Sequence, residues 1–441
     1  MHSEPIVALA TPPGRSALAV IRLTGTGSLA VAARVVRGFR SAPDRSARFA
    51  GFRDATGALI DRGVYTVFLG PRSATGEDTV EFSCHGGLTV PARLQAALEA
   101  AGARPAPRGE FTRRAVLNGK LDLLQAEAVG DLIDAETPVQ SRVALGQLEG
   151  GLSRRIAGLR RGLLELLALL AYEVDFPEED DGPVSRERLE EQRAVVGRQL
   201  DALLATAPLA ERVRRGAMVV LTGRPNVGKS SLFNALLGVD RAVVTEIPGT
   251  TRDAIESPAV FLDWPIRLVD TAGLAETRVR LDQLGQAMSR RYLEAADLVV
   301  ECDDGVVADA VAAGAGVAGA PLLRVRTKSD LGAPDGARLG VSVVTGEGLG
   351  EFKRRVVEQL FAAGAALGDL EPALTRDRHR QALERAASEL GATRTHLAPG
   401  GDPVLAAHHV QEAVRALDQL IGQVDVEEIL SQLFSAFCVG K

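Results

Sequence analysis

Lysine is nearly missing from this chain. Of its 51 basic residues only five are Lys, namely Lys120, Lys229, Lys328, Lys353 and Lys441. So general a bias towards Arg points to coding. A lysine that persists marks a place where a compact ammonium on a flexible stem differs from a planar fork. Aromatic residues make up 4%, which argues against an RNA-binding domain built on a basic aromatic face. The three cysteines, Cys84, Cys302 and Cys438, have neither metal-ligand nor disulfide-framework spacing, which suits a reducing, cytoplasmic setting. Long apolar runs are missing too. The most apolar stretch, "GLLELLALLAYEV", is short and carries Glu165, so it reads as a buried helix and no membrane contact is expected. The start, "MHSEPIVALATPPGR", lacks the basic and apolar regions of a signal peptide. A net charge of −6 rules out a passive nucleic-acid coat; any such binding must use a local patch.

What remains is a globular composition, 46% hydrophobic and 24% charged over 441 residues, enough for two to four domains. Up to about residue 118, strand-like runs ("IVALA", "LAVIRL", "VYTVFL", "TVEFSC") alternate with Gly/Pro turns, and "PARLQAALEAAG" reads as a helix ending at Gly102. This predicts an α+β domain over 1–118. From 119 to 215 the apolar spacing is helical. Strands and helices alternate over 216–365, and amphipathic helices return over 366–441. Two helical segments separated in sequence can share one core, leaving the α/β unit as an insertion. The acidic run Glu178 to Asp181 reads as a solvated loop.

The α/β segment carries the chemistry. "GRPNVGKS", Gly223 to Ser230, lies between the strand "MVVLT" and the helix "SLFNALLG". Backbone N–H groups of such a loop surround phosphates, Lys229 adds a point charge, and the Ser230 hydroxyl suits magnesium. Candidate contacts here are Asn226, Val227, Gly228, Lys229, Ser230 and Ser231. "DTAG" follows the apolar "IRLV", and its Asp270, Thr271, Ala272 and Gly273 can hold magnesium's water and meet the terminal phosphate. "PGTTRD" occupies the place of a mobile switch, with Thr250 and Thr251 as ligands, the latter for magnesium. "TKSD" can read guanine: Asp330 accepts from the base and the Lys328 stem covers its face, while Ser342 closes the pocket. Four ordered motifs predict GTP rather than ATP. Leu274 stands where water-orienting GTPases carry Gln, so another group must place the water. The Asn226 amide has two readings, a ligand for a monovalent cation between phosphates or a brace for the loop.

The motifs "ATPPGR", "IRLTG", "TGEDTVEFSCHGG", "RGEFTRRAVLNGKLDLLQAEAVGDLIDA", "DFPEE", "GRPNVGKSSLFNALLG", "PGTTRD", "DTAGL" and "FCVGK" resemble, end to end, the MnmE (TrmE) family of tRNA-modification GTPases. The resemblance implies a multidomain α/β protein. It would have a tetrahydrofolate-binding, dimerising N-terminal α+β domain, a helical domain of two separated segments, and an inserted Ras-like doubly wound P-loop GTPase domain. It also implies a homodimer working on tRNA with the FAD-carrying flavoprotein MnmG, and 5,10-methylenetetrahydrofolate as one-carbon source. Potassium would be held by Asn226, Thr245, Ile247 and Thr250, within a switch whose Glu246, Pro248, Gly249 and Thr251 also meet the nucleotide. Folate contacts carry over to Arg22, Glu81, Lys120 and Lys441. Of the five lysines, only Lys353 then looks like plain helix surface.

This chain departs from the family pattern at Asp282, where the water-orienting residue is Glu, at Thr327, where Asn is usual, and at Val343. The first departure predicts slower hydrolysis and the second a modest loss of nucleotide affinity. Two rivals use the same motifs: a ribosome-assembly GTPase and a lipid-anchored signalling GTPase. The second draws on the ending "CVGK", but Gly and Lys there make a poor prenylation box. Cys438 is instead expected beside the one-carbon chemistry, with Lys441 on the ligand. The Arg-rich "RRIAGLRR" and "RVRR" are read as solvated helix faces rather than tRNA contacts.

Overall fold

The computed structural model describes residues 4–41, 45–175, 185–239, 256–271, 290–305, 320–332, 339–361, 373–422 and 440. The chain divides into two compact units, Met1–Gly130 with Leu417–Lys441, and Asp131–Ala416.

The first unit is built on a six-stranded sheet. Its elements are β1 (Ile6–Leu9), β2 (Leu18–Thr24), α1 (Ser28–Val35), β3 (Arg48–Arg53), β4 (Leu59–Phe68), β5 (Thr79–His85), α2 (Thr89–Ala100), β6 (Arg104–Pro105), α3 (Glu110–Leu117) and the start of α4 (Leu123–Ile133). The order is β3-β4-β5-β2-β1-β6, with β1 and β6 parallel and the other pairs antiparallel. Period-2 alternation decides what each face does. Ala19, Ile21 and Leu23 of β2 and Val80, Phe82 and Cys84 of β5 point into a core closed by Leu94 and Leu98 of α2 and Val31 and Val35 of α1. The intervening Arg22 and Glu81 are therefore left on the opposite face. There Ile6, Ala8, Ala106 and Phe111 of α3 form a smaller apolar cluster.

In the second unit, helices α5 (Pro138–Leu148), α6 (Gly151–Asp175), α7 (Arg186–Leu204) and α8 (Ala207–Arg215) precede β7 (Ala217–Thr222). Then come α9 (Lys229–Val239), β8 (Glu256–Phe261), β9 (Trp264–Asp270), β10 (Leu298–Asp303), β11 (Leu322–Arg326), β12 (Leu339–Gly340), α10 (Leu349–Phe361), α11 (Asp377–Leu397) and α12 (Pro403–Ile421). The sheet order is β12-β11-β10-β7-β9-β8, parallel except for the edge strand β8. Leu262 and Asp263, with φ of 50° and 70°, make the two-residue turn that reverses β8 into β9. β7 is buried over Ala217–Leu221, as a central parallel strand covered on both faces must be. α7 packs against α6 and α11, so helices on both sides of the sheet in sequence do meet in space. The doubly wound α/β domain inserted between helical segments is thus present.

The two Arg-rich stretches part company. In "RVRR", Arg212 Nε and Arg215 Nη2 donate to Asp297 Oδ1 at 3.0 and 2.8 Å, and Asp297 Oδ2 accepts from Met218 N at 2.9 Å. Arg212 also reaches Leu360 O at 3.2 Å, and Arg214 Nε donates to Thr375 O at 2.9 Å. α8 is accordingly tied to the sheet by Asp297, while Arg214 and Arg215 keep the exposure expected of a helix face. In "RRIAGLRR" of α6, Arg154, Arg155 and Arg161 are exposed too, but without a carboxylate partner among the described residues.

Candidate functional site

All the described nucleotide motifs sit at the carboxyl ends of the parallel strands, where open α/β sheets bind ligands. β7 runs into the loop Gly223–Gly228. At Gly223 φ is +137° and a Cβ would lie 2.2 Å from Cys302 O of neighbouring β10, so only glycine lets the loop leave the sheet here. The loop then enters α9, whose first backbone bond runs from Leu232 N to Gly228 O at 2.9 Å. The preceding N–H groups have no helical acceptor and form an anion site at the positive end of the helix dipole. Lys229 is buried and folds back over this cradle, donating to Gly223 O at 2.9 Å and Arg224 O at 2.8 Å. Ser230 on the first turn and Ser231 beside it are exposed.

Asn226 has φ of +63°, a left-handed conformation that Asn tolerates better than most residues. Its exposed side-chain amide makes no hydrogen bond among the described residues, so the bracing role is not realised through that amide. Backbone conformation alone accounts for an Asn at this position, and the amide is left open to a ligand.

Asp270 ends β9 opposite Leu221 of β7 and is 5% exposed. Next to it the Thr271 hydroxyl donates to Leu221 O at 2.8 Å, fixing the second phosphate motif to the strand that carries the first. The guanine motif is tied to the phosphate loop in two ways. The buried Thr327 hydroxyl lies within hydrogen-bond reach of Val227 O and at 3.1 Å from Asp303 O. Lys328, in the left-handed region at φ +53°, donates through Nζ to Asn226 O at 2.7 Å. Asp330 is exposed in the following turn. Ser342 is fully buried, and its Oγ accepts from Val344 N and Thr345 N at 3.3 and 3.2 Å. These bonds fold the closing loop.

Two participants were not anticipated. Asp303 ends β10 and Asp304 follows it; they face Arg224 Nη2 of the phosphate loop at 3.4 and 3.3 Å, while Asp304 also lies 3.6 Å from Lys328 Nζ. The acidic pair after a buried strand, "ECDDG", was the available signal. Thr245, Glu246, Ile247, Pro248, Gly249, Thr250, Thr251, Ala272, Gly273 and Asp282 lie outside the described residues, as do Cys438 and Lys441.

In the first unit, the register pairs Arg22 directly with Glu81, and Arg22 Nε and Nη2 approach Glu81 Oε1 at 2.9 and 2.7 Å. The Phe111 ring lies under the guanidinium at 5.7 Å, a contact not foreseen although "RGEFTRR" was in view. Two sequence candidates are thus brought together. Lys120 is exposed and stands beside the turn at Gly76, whose added Cβ would be 3.3 Å from its Cγ; no hydrogen bond or ion pair among the described residues joins it to the Arg22–Glu81 pair. Cys84 and Cys302 are both buried, and burial pushes their thiols up, to about 11 and about 12. Neither suits nucleophilic work.

Strand order, phosphate loop, second phosphate motif and guanine motif together define a GTPase of the P-loop class. The family described as "MnmE helical domain" matches residues 123–438, and "GTP-binding protein TrmE N-terminus" matches 5–120. The tRNA modification GTPase MnmE of Thermus thermophilus is 44% identical over 99% of this chain and 99% of its own length. That of Methylorubrum populi is 44% identical over 100% and 99%, and that of Aquifex aeolicus 38% over 99% and 100%. The chain belongs to the MnmE family.

Proposed function

We propose that this GTPase modifies tRNA: that, with MnmG and its FAD, it adds an aminomethyl or carboxymethylaminomethyl group at carbon 5 of the wobble uridine. The one-carbon unit comes from 5,10-methylenetetrahydrofolate, and the protein acts as a cytoplasmic homodimer. Full-length similarity to proteins named for tRNA modification supports the substrate. One observation carries the potassium dependence: an exposed Asn226 amide, engaged by nothing else among the described residues, stands on the rim of the phosphate loop. Together with Thr245, Ile247 and Thr250 it would hold the cation, which when bound neutralises charge developing between phosphates. Lys229 and the N-terminal N–H groups of α9 position the phosphates, and Ser230 with Thr251 would hold magnesium. Asp282 orients water in place of the missing Gln.

For the folate site, Arg22 and Glu81 offer opposite charges on one sheet face, able to meet a carboxylate and a pterin N–H edge. Gly440 lies against β1, the strand beside Arg22: a Cβ there would be 2.3 Å from Leu9 O. This supports delivery of Cys438 and Lys441 to that face. The domain limits 1–118, 119–215, 216–365 and 366–441 follow the same reading.

GTP turnover by the purified protein in potassium and in sodium tests the core of this. Turnover at least about tenfold faster in potassium is expected, equivalent to about 1.4 kcal/mol of barrier; equal rates remove the cation. Asp282→Ala should slow turnover with nucleotide binding unchanged, and Asp282→Glu should restore or exceed it.

A further inference from the structure

Resting on the tRNA reading above, we infer that the outer face of the α5–α6 helical hairpin is the surface that docks the RNA phosphate backbone. Residues 141–164 hold five arginines and a single carboxylate, Glu149, in a chain whose net charge is −6. α6 buries Leu152, Ile156, Leu159, Leu163 and Leu166, a stripe at three- and four-residue spacing that fixes the opposite side as solvent-facing. Arg154 and Arg161 stand on that side, two turns and about 10 Å apart along the axis, with Arg155 on its flank. Between them Gly158 has nothing within 4 Å of an added Cβ, so a polynucleotide backbone can come close to the helix. On α5, Arg142 is also exposed, and the connection is tight, a Cβ on Gly151 lying 3.0 Å from Gly146 O.

Four of these five charges, those of Arg142, Arg154, Arg155 and Arg161, meet no carboxylate among the described residues. Arg142, Arg155 and Arg161 make no ion pair among the described residues, and Arg154 donates only to the Glu149 carbonyl, at 2.7 Å. Other helix arginines are neutralised within the fold: Arg380 faces Glu211, Asp377 and Glu384, and Arg212 and Arg215 of α8 face Asp297. Glu165, the next carboxylate along α6, accepts from Gln192 of α7 at 3.1 Å. A protein partner would call for an apolar centre with aromatic anchors. Here the exposed apolar side chains are only Leu145 and Leu164, at 45% and 37%. Unpaired guanidinium groups around a glycine fit phosphates instead.

The test uses the full chain and an unmodified tRNA transcript with uridine at the wobble position. Arg154→Glu, Arg155→Glu and Arg161→Glu together should weaken tRNA binding by at least about tenfold near 0.1 M salt. The slope of log affinity against log salt should flatten by about 2, with GTP turnover unchanged. The matching triple Lys variant keeps the charge and should bind within about threefold of the parent. Unaltered affinity and slope in the Glu variant overturn the assignment, as does an equal loss in the Lys variant. Retained tRNA affinity with loss of binding to the flavoprotein would give the face to a protein and overturn it too. If the unaltered chain itself fails to bind the transcript, the tRNA reading falls, and the assignment with it.

Discussion

Thr327, where the family pattern has Asn, ties two loops together through its hydroxyl. The sequence led us to expect a lost amide at the guanine motif. In place the buried hydroxyl sits between Val227 O and Asp303 O, and its single hydrogen still ties base loop to phosphate loop. Thr327→Val keeps the shape and strands a buried carbonyl, which costs about 1–3 kcal/mol. The melting temperature should fall and GDP affinity should drop about tenfold; an unchanged protein on both counts would refute the tie. Thr327→Asn should bind GDP at least as well as the parent. The buried thiols make a second residue-scale prediction. With Cys84 and Cys302 raised to about 11 and about 12 by burial, iodoacetamide at pH 8 should leave both unlabelled in the native protein and label both in urea. Native labelling of either, seen by peptide mass spectrometry, would contradict their burial. That these were free thiols was legible from their spacing; their inertness was not, because burial depends on strands far apart in sequence.

At the scale of elements, α8 is an exposed helix face whose carboxylate partner the sequence did not announce. Three arginines in the last turn of an amphipathic helix look the same whether they face water or a carboxylate 82 or 85 residues on. Only the fold brings Asp297 to them. Asp297→Ala leaves Arg212, Arg215 and Met218 N without their acceptor, and urea unfolding should register a loss of about 2–4 kcal/mol. A change under about 0.5 kcal/mol would mean the joint is ornamental. α3 carries a comparable network in the first unit, where Glu110 accepts from Arg104 Nη2 and Arg114 Nη2 at 2.8 Å each. Burial by itself would raise the Glu110 carboxyl, but the hydrogen bonds from Arg104 and then Arg114 outweigh it and hold it below its usual 4.5. A depressed folded value means the stabilisation is complete above about 4.5 and is lost as pH falls through the folded value. Glu110→Gln should therefore lower stability at pH 7 and converge with the parent in acid. A difference that stayed constant down to pH 3 would exclude the charge pair as its cause.

Over the whole molecule, the inserted α/β domain was legible because each of its motifs is local: strand, turn and helix signals lie within a few residues of one another. Arg22 and Glu81 were legible as single residues, but not as a pair, since register across 59 residues sets their meeting. The end of the chain is the extreme case. Nothing local in "FCVGK" says where it lands, yet Leu417–Lys441 clusters with Met1–Gly130 rather than with the helices just before it. Gly440 makes a close approach to β1. Its φ is +93°, and an added Cβ would meet Leu9 O at 2.3 Å, Ala10 Cα at 2.8 Å and Leu9 C at 3.0 Å. Those are backbone atoms of an ordered strand and its next residue, so the tail must give way instead. Gly440→Ala should thus dislodge this position from β1. On the folate reading, affinity for 5-formyltetrahydrofolate should fall at least about tenfold and tRNA modification should be lost. Asp131–Ala416 forms its own compact unit, with a core of its own around the sheet, so GTP turnover in potassium should stay at the parental rate. Normal folate affinity in the variant would separate the tail from the ligand. A matching loss of GTP turnover would mean instead that the two units are coupled through the tail.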